Sequence, residues 1–212
     1  PRYLSPSTLP AAVAALDDAD PNVRMAAVQA LAAAEPAVRL RHLPRMLADP
    51  VRVVRMDAAR ALAGEPEQRL ASADRAAFER GLGEYVAGQR FNADRPEAQA
   101  ALGTLHLARG EWEDATASFR AALRLDPAFA EAAVNLADLY RVRGLDAEGE
   151  RVLREALQAA PRSALATHAL GLALIRQKRV PEAVTALGEA ARLAPDDARF
   201  AYVHGVALHD TG

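Results

Sequence analysis

Residues 127–161 read PAFAEAAVNLADLYRVRGLDAEGERVLREALQAAP, a stretch that opens and closes on proline and is divided near its middle by Gly144. Small and bulky apolar residues recur three or four apart, as Ala133, Leu136, Ala137 and Tyr140 before the glycine and Gly149, Leu153 and Ala156 after it. That spacing sets each group on one face of a helix. Glycine suits the end of the first helix, and proline cannot continue the second. The stretch therefore predicts two helices folded back on each other, with small residues where their backbones approach.

The same pattern extends in both directions. Pro127, Pro161 and Pro195 stand 34 residues apart. Leu102-Gly103, His106, Gly110, Ala115, Phe119 and Ala122 precede the first of them, and Leu170-Gly171, Leu174, Ala183, Leu187 and Ala190 precede the last. Gly205 and Leu208 open a fourth unit. A period of this length with these small and bulky offsets resembles the tetratricopeptide family over residues 96–195. One departure is that the bulky residue usual early in the first helix is replaced by Gln99, Ala133 and Thr167. Trp112 instead follows the Arg109-Gly110-Glu111 turn, where it is predicted to pack a helix junction.

Upstream the spacing changes. Val23, Arg24, Ala27 and Leu31 match Val54, Arg55, Ala58 and Leu62 at an interval of 31, each set following an Asp-Pro turn at Asp20-Pro21 or Asp49-Pro50. Asp20 ahead of Val23-Arg24 resembles the HEAT repeats. Helices are predicted near 7–18, 22–34, 38–48 and 53–63. Asp20 and Asp49 are expected as caps. Arg24 and Arg55 are expected to bond an acid or turn carbonyl of the neighbouring repeat.

Gly64-Glu65-Pro66 ends that array. A helix across 74–89 follows, with Phe78, Leu82, Tyr85 and Val86 on one face. Its Gly81, Tyr85 and Gly88 precede Ala115, Phe119 and Ala122 by one 34-residue interval. The expected fold is all-α, a right-handed αα superhelix. HEAT-like repeats occupy 1–64, a connecting or capping helix 65–95, and three complete tetratricopeptide units with a truncated fourth 96–212.

Composition narrows the function. Lys and Arg number 26 against 28 Asp and Glu, so the chain lacks the positive field that holds nucleic acid. It has no cysteine, which excludes disulfides, thiolate catalysis and covalent haem attachment within these residues. No apolar run is long enough to span a bilayer. The chain begins at Pro1 with neither Met nor an apolar leader, the start expected of a fragment or a processed product. No hydrolase elbow, phosphate loop or dinucleotide motif occurs. Asp17-Asp18, Glu113-Asp114 and Asp196-Asp197 fall near turns or helix starts, where capping accounts for them. No catalytic residue, metal ligand or cofactor is assigned.

In stacked helix pairs the first helices line one surface. Counting that face gives Glu97, Ala100, Thr104 and Leu107 in the first unit, Glu131, Val134, Asp138 and Arg141 in the second, Leu165, His168, Leu172 and Ile175 in the third, then Arg199, Tyr202, Val206 and His209. Glu131, Asp138, Arg141, His168, Arg199 and Tyr202 are the expected partner-binding residues. The surface is acidic at one side and more apolar toward the C-terminus, suited to a peptide or helix. The family's carboxylate clamp is absent. Asn135 matches one of its positions, but Ala100, Thr104, Leu165 and Ala169 stand where its other polar groups belong. Tyr140 is assigned to the core.

The preferred reading is a non-enzymatic scaffold for a protein, a peptide or another domain of a parent chain, with self-association through the truncated C-terminal end also open. Two alternatives accompany it. The combination of repeats resembles C-terminal regions of bacterial multihaem c-type cytochromes, which implies haem elsewhere in the parent and a periplasmic rather than cytoplasmic setting. A metal-dependent site near His168 and His204 is the second.

Overall fold

The structure is a computed structural model and describes residues 7–209. Those residues form helices and turns with no strand. The described residues divide into two compact units, 7–92 with 108–110, and 93–107 with 111–209.

The first unit contains α1 (Leu9–Ala14), α2 (Pro21–Ala32), α3 (Pro36–His42), α4 (Arg52–Leu62) and α5 (Ser72–Phe91). Proline opens α2 and α3, where a missing backbone donor costs nothing. Asp20 caps α2 by accepting the Asn22 N–H at 2.8 Å. The helix predicted across 38–48 is instead broken. Its α-helical part stops at His42, and Pro44–Ala48 form a 3₁₀ turn. Pro44 has no N–H to continue the ladder, and it restricts the residue before it.

Val28, Leu31, Leu43, Leu47, Val54, Ala58 and Leu62 form the buried interior of this unit. Helix α4 packs on both α2 and α5. A Cβ at Gly81 of α5 would lie 2.8 Å from Ala59 Cβ and 3.0 Å from the Arg55 carbonyl oxygen, so glycine permits the close approach.

The two repeated arginines do as their spacing predicts. Arg24 donates through Nε and Nη2 to the Asp49 carboxylate at 2.8 and 3.1 Å, and through Nη1 to the Asp18 and Ala19 carbonyls. Arg55 donates to both Glu84 oxygens at 2.8 Å and to the Asp49 and Pro50 carbonyls. Each guanidinium thus ties its own turn to the next element.

The second unit runs through α6 (Pro96–Ala108), α7 (Trp112–Leu125), α8 (Ala130–Val142), α9 (Asp146–Ala159), α10 (Ala164–Arg176), α11 (Val180–Leu193) and α12 (Ala198–His209). Short turns join successive helices from α7 onward, each helix packs on the next, and α8 also packs on α10. Gly110 and Gly144 take positive φ of 74° and 73° in the turns inside the first two pairs. Lys178 holds the same place in the third pair at φ 61°, a conformation that costs a side chain about 1 kcal/mol.

Small residues face large ones across the first and third pairs. A Cβ on Gly103 would meet the Phe119 ring at 2.7 Å, and one on Gly171 would meet Leu187 at 2.6 Å. Phe119, Leu136, Leu139, Leu153, Leu174 and Leu187 are sealed from solvent. Trp112 packs against this interior beside the turn. Tyr140 is buried, and its hydroxyl accepts from Arg120 Nη2 at 2.6 Å.

Candidate functional site

Alanines at 137 and 169 leave room between α8 and α10. A cavity of about 90 Å³ opens there, walled by Val134 and Ala137 of α8, Leu153 of α9, and Leu165, Ala169 and Leu172 of α10. His168 lines it, and Asp138 and Arg176 supply its charged groups. Both charges are already paired. Asp138 accepts from Arg141 Nε at 3.0 Å, and Arg176 Nε donates to Asp146 at 2.8 Å.

His168 links the cavity to α12. Its ring stacks on Phe200 with centroids 4.5 Å apart and planes 29° from parallel. The Arg199 guanidinium stands 5.9 Å from the centre of the same phenyl ring, while its Nε and Nη2 donate to Asp197 at 3.0 and 2.6 Å. Nδ1 of His168 is buried without a hydrogen-bond partner among the described residues. Burial lowers the imidazole pKa, Arg199 lowers it further, and Asp197 opposes them only in part.

A stability dependence on pH follows. The folded pKa lies below the ordinary value near 6.5, so the neutral ring's contribution is complete above that value. It is lost as pH falls from about 6.5 through the folded pKa. The unfolding midpoint of the second unit is expected to drop over this interval, and less steeply in His168→Phe. An equal slope in both proteins would refute the assignment.

Of the residues predicted to bind a partner, Asp138 and His168 meet at the cavity and Arg141 reaches it through Asp138. Arg199 joins through Phe200. Glu131 is exposed in the first turn of α8, and Tyr202 of α12 is 73% exposed; neither lines the cavity. Ala137, Leu153, Ala169, Arg176 and Phe200 were not predicted. Phe200 carried a signal, since Ala98, Ala132 and Ala166 hold its register in the preceding units.

Leu172 of the cavity wall is also partly exposed, as are Ile175 of α10 and Val206 of α12. The contacts of His168 and His204 are with other groups. The first stacks on Phe200, the second lies against Gly188, and neither joins a group of three close His, Asp or Glu ligands among the described residues. No helix among those residues is long and apolar enough to cross a membrane.

Comparison with known families matches HEAT repeats to residues 2–63 and the tetratricopeptide repeat to residues 100–164 and 168–212, the latter just over half of the chain. Among solved structures, MamA from position 41 to its end, from Desulfovibrio magneticus RS-1, is 22% identical. That match covers 72% of this chain and 85% of MamA, with a TM-score of 0.50. Yeast Tom70 is 17% identical and matches 97% of this chain, which spans 47% of Tom70, with a TM-score of 0.53. At such identities the likeness is one of fold. A comparison with curated proteins finds no match.

Proposed function

The chain belongs to the tetratricopeptide repeat family, and from that premise we propose that it is a non-enzymatic docking scaffold whose first helices α8, α10 and α12 hold a segment of a partner protein. The observation that carries this reading is the cavity between α8 and α10. Its walls are aliphatic, its volume of about 90 Å³ suits one branched side chain, and its charges are neutralised in place. An apolar anchor inserted there is the arrangement from which interfaces draw most of their energy.

The partly exposed apolar residues from Leu165 to Val206 support a segment long enough to cross two first helices, with Glu131, Asp138, Arg141, Arg199 and Tyr202 as polar and aromatic rim. The division at 64 and 95 into HEAT-like repeats, a connecting helix and tetratricopeptide units is part of the same proposal. Exposed Tyr202 and Leu208 on α12 support a further contact with another domain of a parent chain or with a second copy. This reading stands ahead of a haem-bearing parent because the cavity lies in the chain itself.

Panning a displayed random-peptide library against the full chain tests the proposal. The expected enriched sequences share one Leu, Ile or Val anchor and lose binding when Ala169→Leu fills the cavity. Enrichment of sequences with no aliphatic anchor, or of sequences indifferent to Ala169→Leu, would refute it.

A further inference from the structure

The end of α6 and the start of α7 bring three potential metal ligands to one place. His106 lies in the last turn of α6, Glu111 immediately before α7, and Asp114 in its first turn. One imidazole nitrogen and two carboxylate oxygens from these side chains lie within 4.8 Å of one another. Nδ1 of His106 and Oε2 of Glu111 are 2.6 Å apart. No other group of three such side chains occurs among the described residues.

The repeat itself does not require this combination. The matching positions hold Tyr140, Leu145 and Glu148 in the second unit and Leu174, Arg179 and Glu182 in the third. All three turns are nevertheless closed by the same backbone bond. The Glu111 N–H donates to the His106 carbonyl at 2.9 Å, that of Leu145 to Tyr140 at 2.8 Å, and that of Arg179 to Leu174 at 2.9 Å. An acid at the place of Asp114 recurs in all three units, but the imidazole and the Glu111 carboxylate beside it occur only in the first and are surplus to the turn.

We propose that His106, Glu111 and Asp114 bind a divalent first-row transition cation of the zinc type. One nitrogen with two carboxylate oxygens suits such a borderline ion, whereas magnesium and calcium favour sets made of oxygen alone. Ligands about 2 Å from a tetrahedral ion stand roughly 3.3 Å from one another. Binding thus asks the His106–Glu111 pair to open slightly and the exposed Asp114 side chain to close in. The ion takes the place of the hydrogen bond between that pair. The carboxyl end of α6 attracts a cation and the amino end of α7 repels it, so the two dipoles largely offset and the carboxylates set the sign of the field. Water completes the coordination, and the bound ion ties α6 to α7 in the first tetratricopeptide unit.

Titration of the metal-free full chain with Co²⁺, followed by visible absorption and then by displacement with Zn²⁺, tests the site. The expected result is one saturable equivalent per chain, displaced by Zn²⁺. Asp114→Asn is expected to weaken Co²⁺ binding at least about tenfold while leaving the unfolding midpoint in EDTA unchanged. His106→Gln is expected to remove the signal; should that variant fail to fold, Asp114→Asn decides alone, because its site is exposed. Absence of saturable Co²⁺ uptake would overturn the proposal. So would uptake retained in Asp114→Asn, which would belong to other histidines.

Discussion

Phe119→Ala is expected to destabilise the second unit by about 3–5 kcal/mol. The ring is fully buried between α6 and α7 and occupies the space that Gly103 leaves free. Truncation removes one of the two largest fully buried side chains among the described residues. The neighbours Ala115 and Ala122 in the same buried cluster are too short to fill the gap. A chemical denaturation curve should therefore move to lower denaturant without a matching change of slope. Because each repeat leans only on its neighbours, amide exchange should rise most in α6 and α7 and least in α11. Leu125→Ala, at a half-exposed position on the same helix, is expected to change stability by less than about 0.5 kcal/mol. Similar losses from the two variants would contradict the packing described.

In the first unit Asp49→Ala is expected to destabilise by about 3 kcal/mol. Asp49 is almost wholly buried and accepts two bonds from Arg24 and one from the Val51 N–H at 2.8 Å. Its loss leaves a guanidinium fixed over the Asp18 and Ala19 carbonyls without its carboxylate, while only partly open to water. Asp17 offers the control. It pairs with Arg45 at 2.9 Å but both side chains are exposed, and Asp17→Ala is expected to have little effect.

The same carboxylate predicts acid sensitivity. Burial raises the Asp49 pKa, but hydrogen bonds from Arg24 and Val51 together with the charges of Arg24 and Arg55 outweigh it and hold it below the ordinary value. Its contribution is present above the unfolded value near 3.9 and is lost as pH falls through the folded pKa. Thermal unfolding followed between pH 6 and 3 should show a steeper fall for the parent chain than for Asp49→Ala.

The repeats were legible because the features that define them are local. Proline at 127, 161 and 195 stops a helix wherever it occurs, and Gly103 and Gly171 encode close approach without reference to a partner. Arg24 was legible for a related reason, since its repeat at Arg55 implied a role in stacking. The broken helix at Pro44 was also open to reading, but the apolar pattern of 38–48 obscured it.

The candidate site was less legible. Asp138 and His168 are 30 residues apart, and only the packing of α8 on α10 makes them neighbours. The stack of His168 on Phe200 needs a third helix. Phe200 differs from the alanines at its register, but a size change alone does not say which ring will meet it. His106, Glu111 and Asp114 are near in sequence, yet their convergence depends on the path of the turn at Gly110.

The central claim is that the face joining α8 to α10 is where a partner docks. Its most direct test is the dissociation constant of an enriched library peptide measured against the parent chain, Leu172→Arg and Arg151→Ala. Leu172 walls the cavity, whereas Arg151 lies on the exposed side of α9. Leu172→Arg is expected to weaken binding by about 2 kcal/mol, roughly thirtyfold, and Arg151→Ala to leave it unchanged. Equal affinity for the parent chain and Leu172→Arg, or a loss confined to Arg151→Ala, would place the docking surface elsewhere and contradict the account.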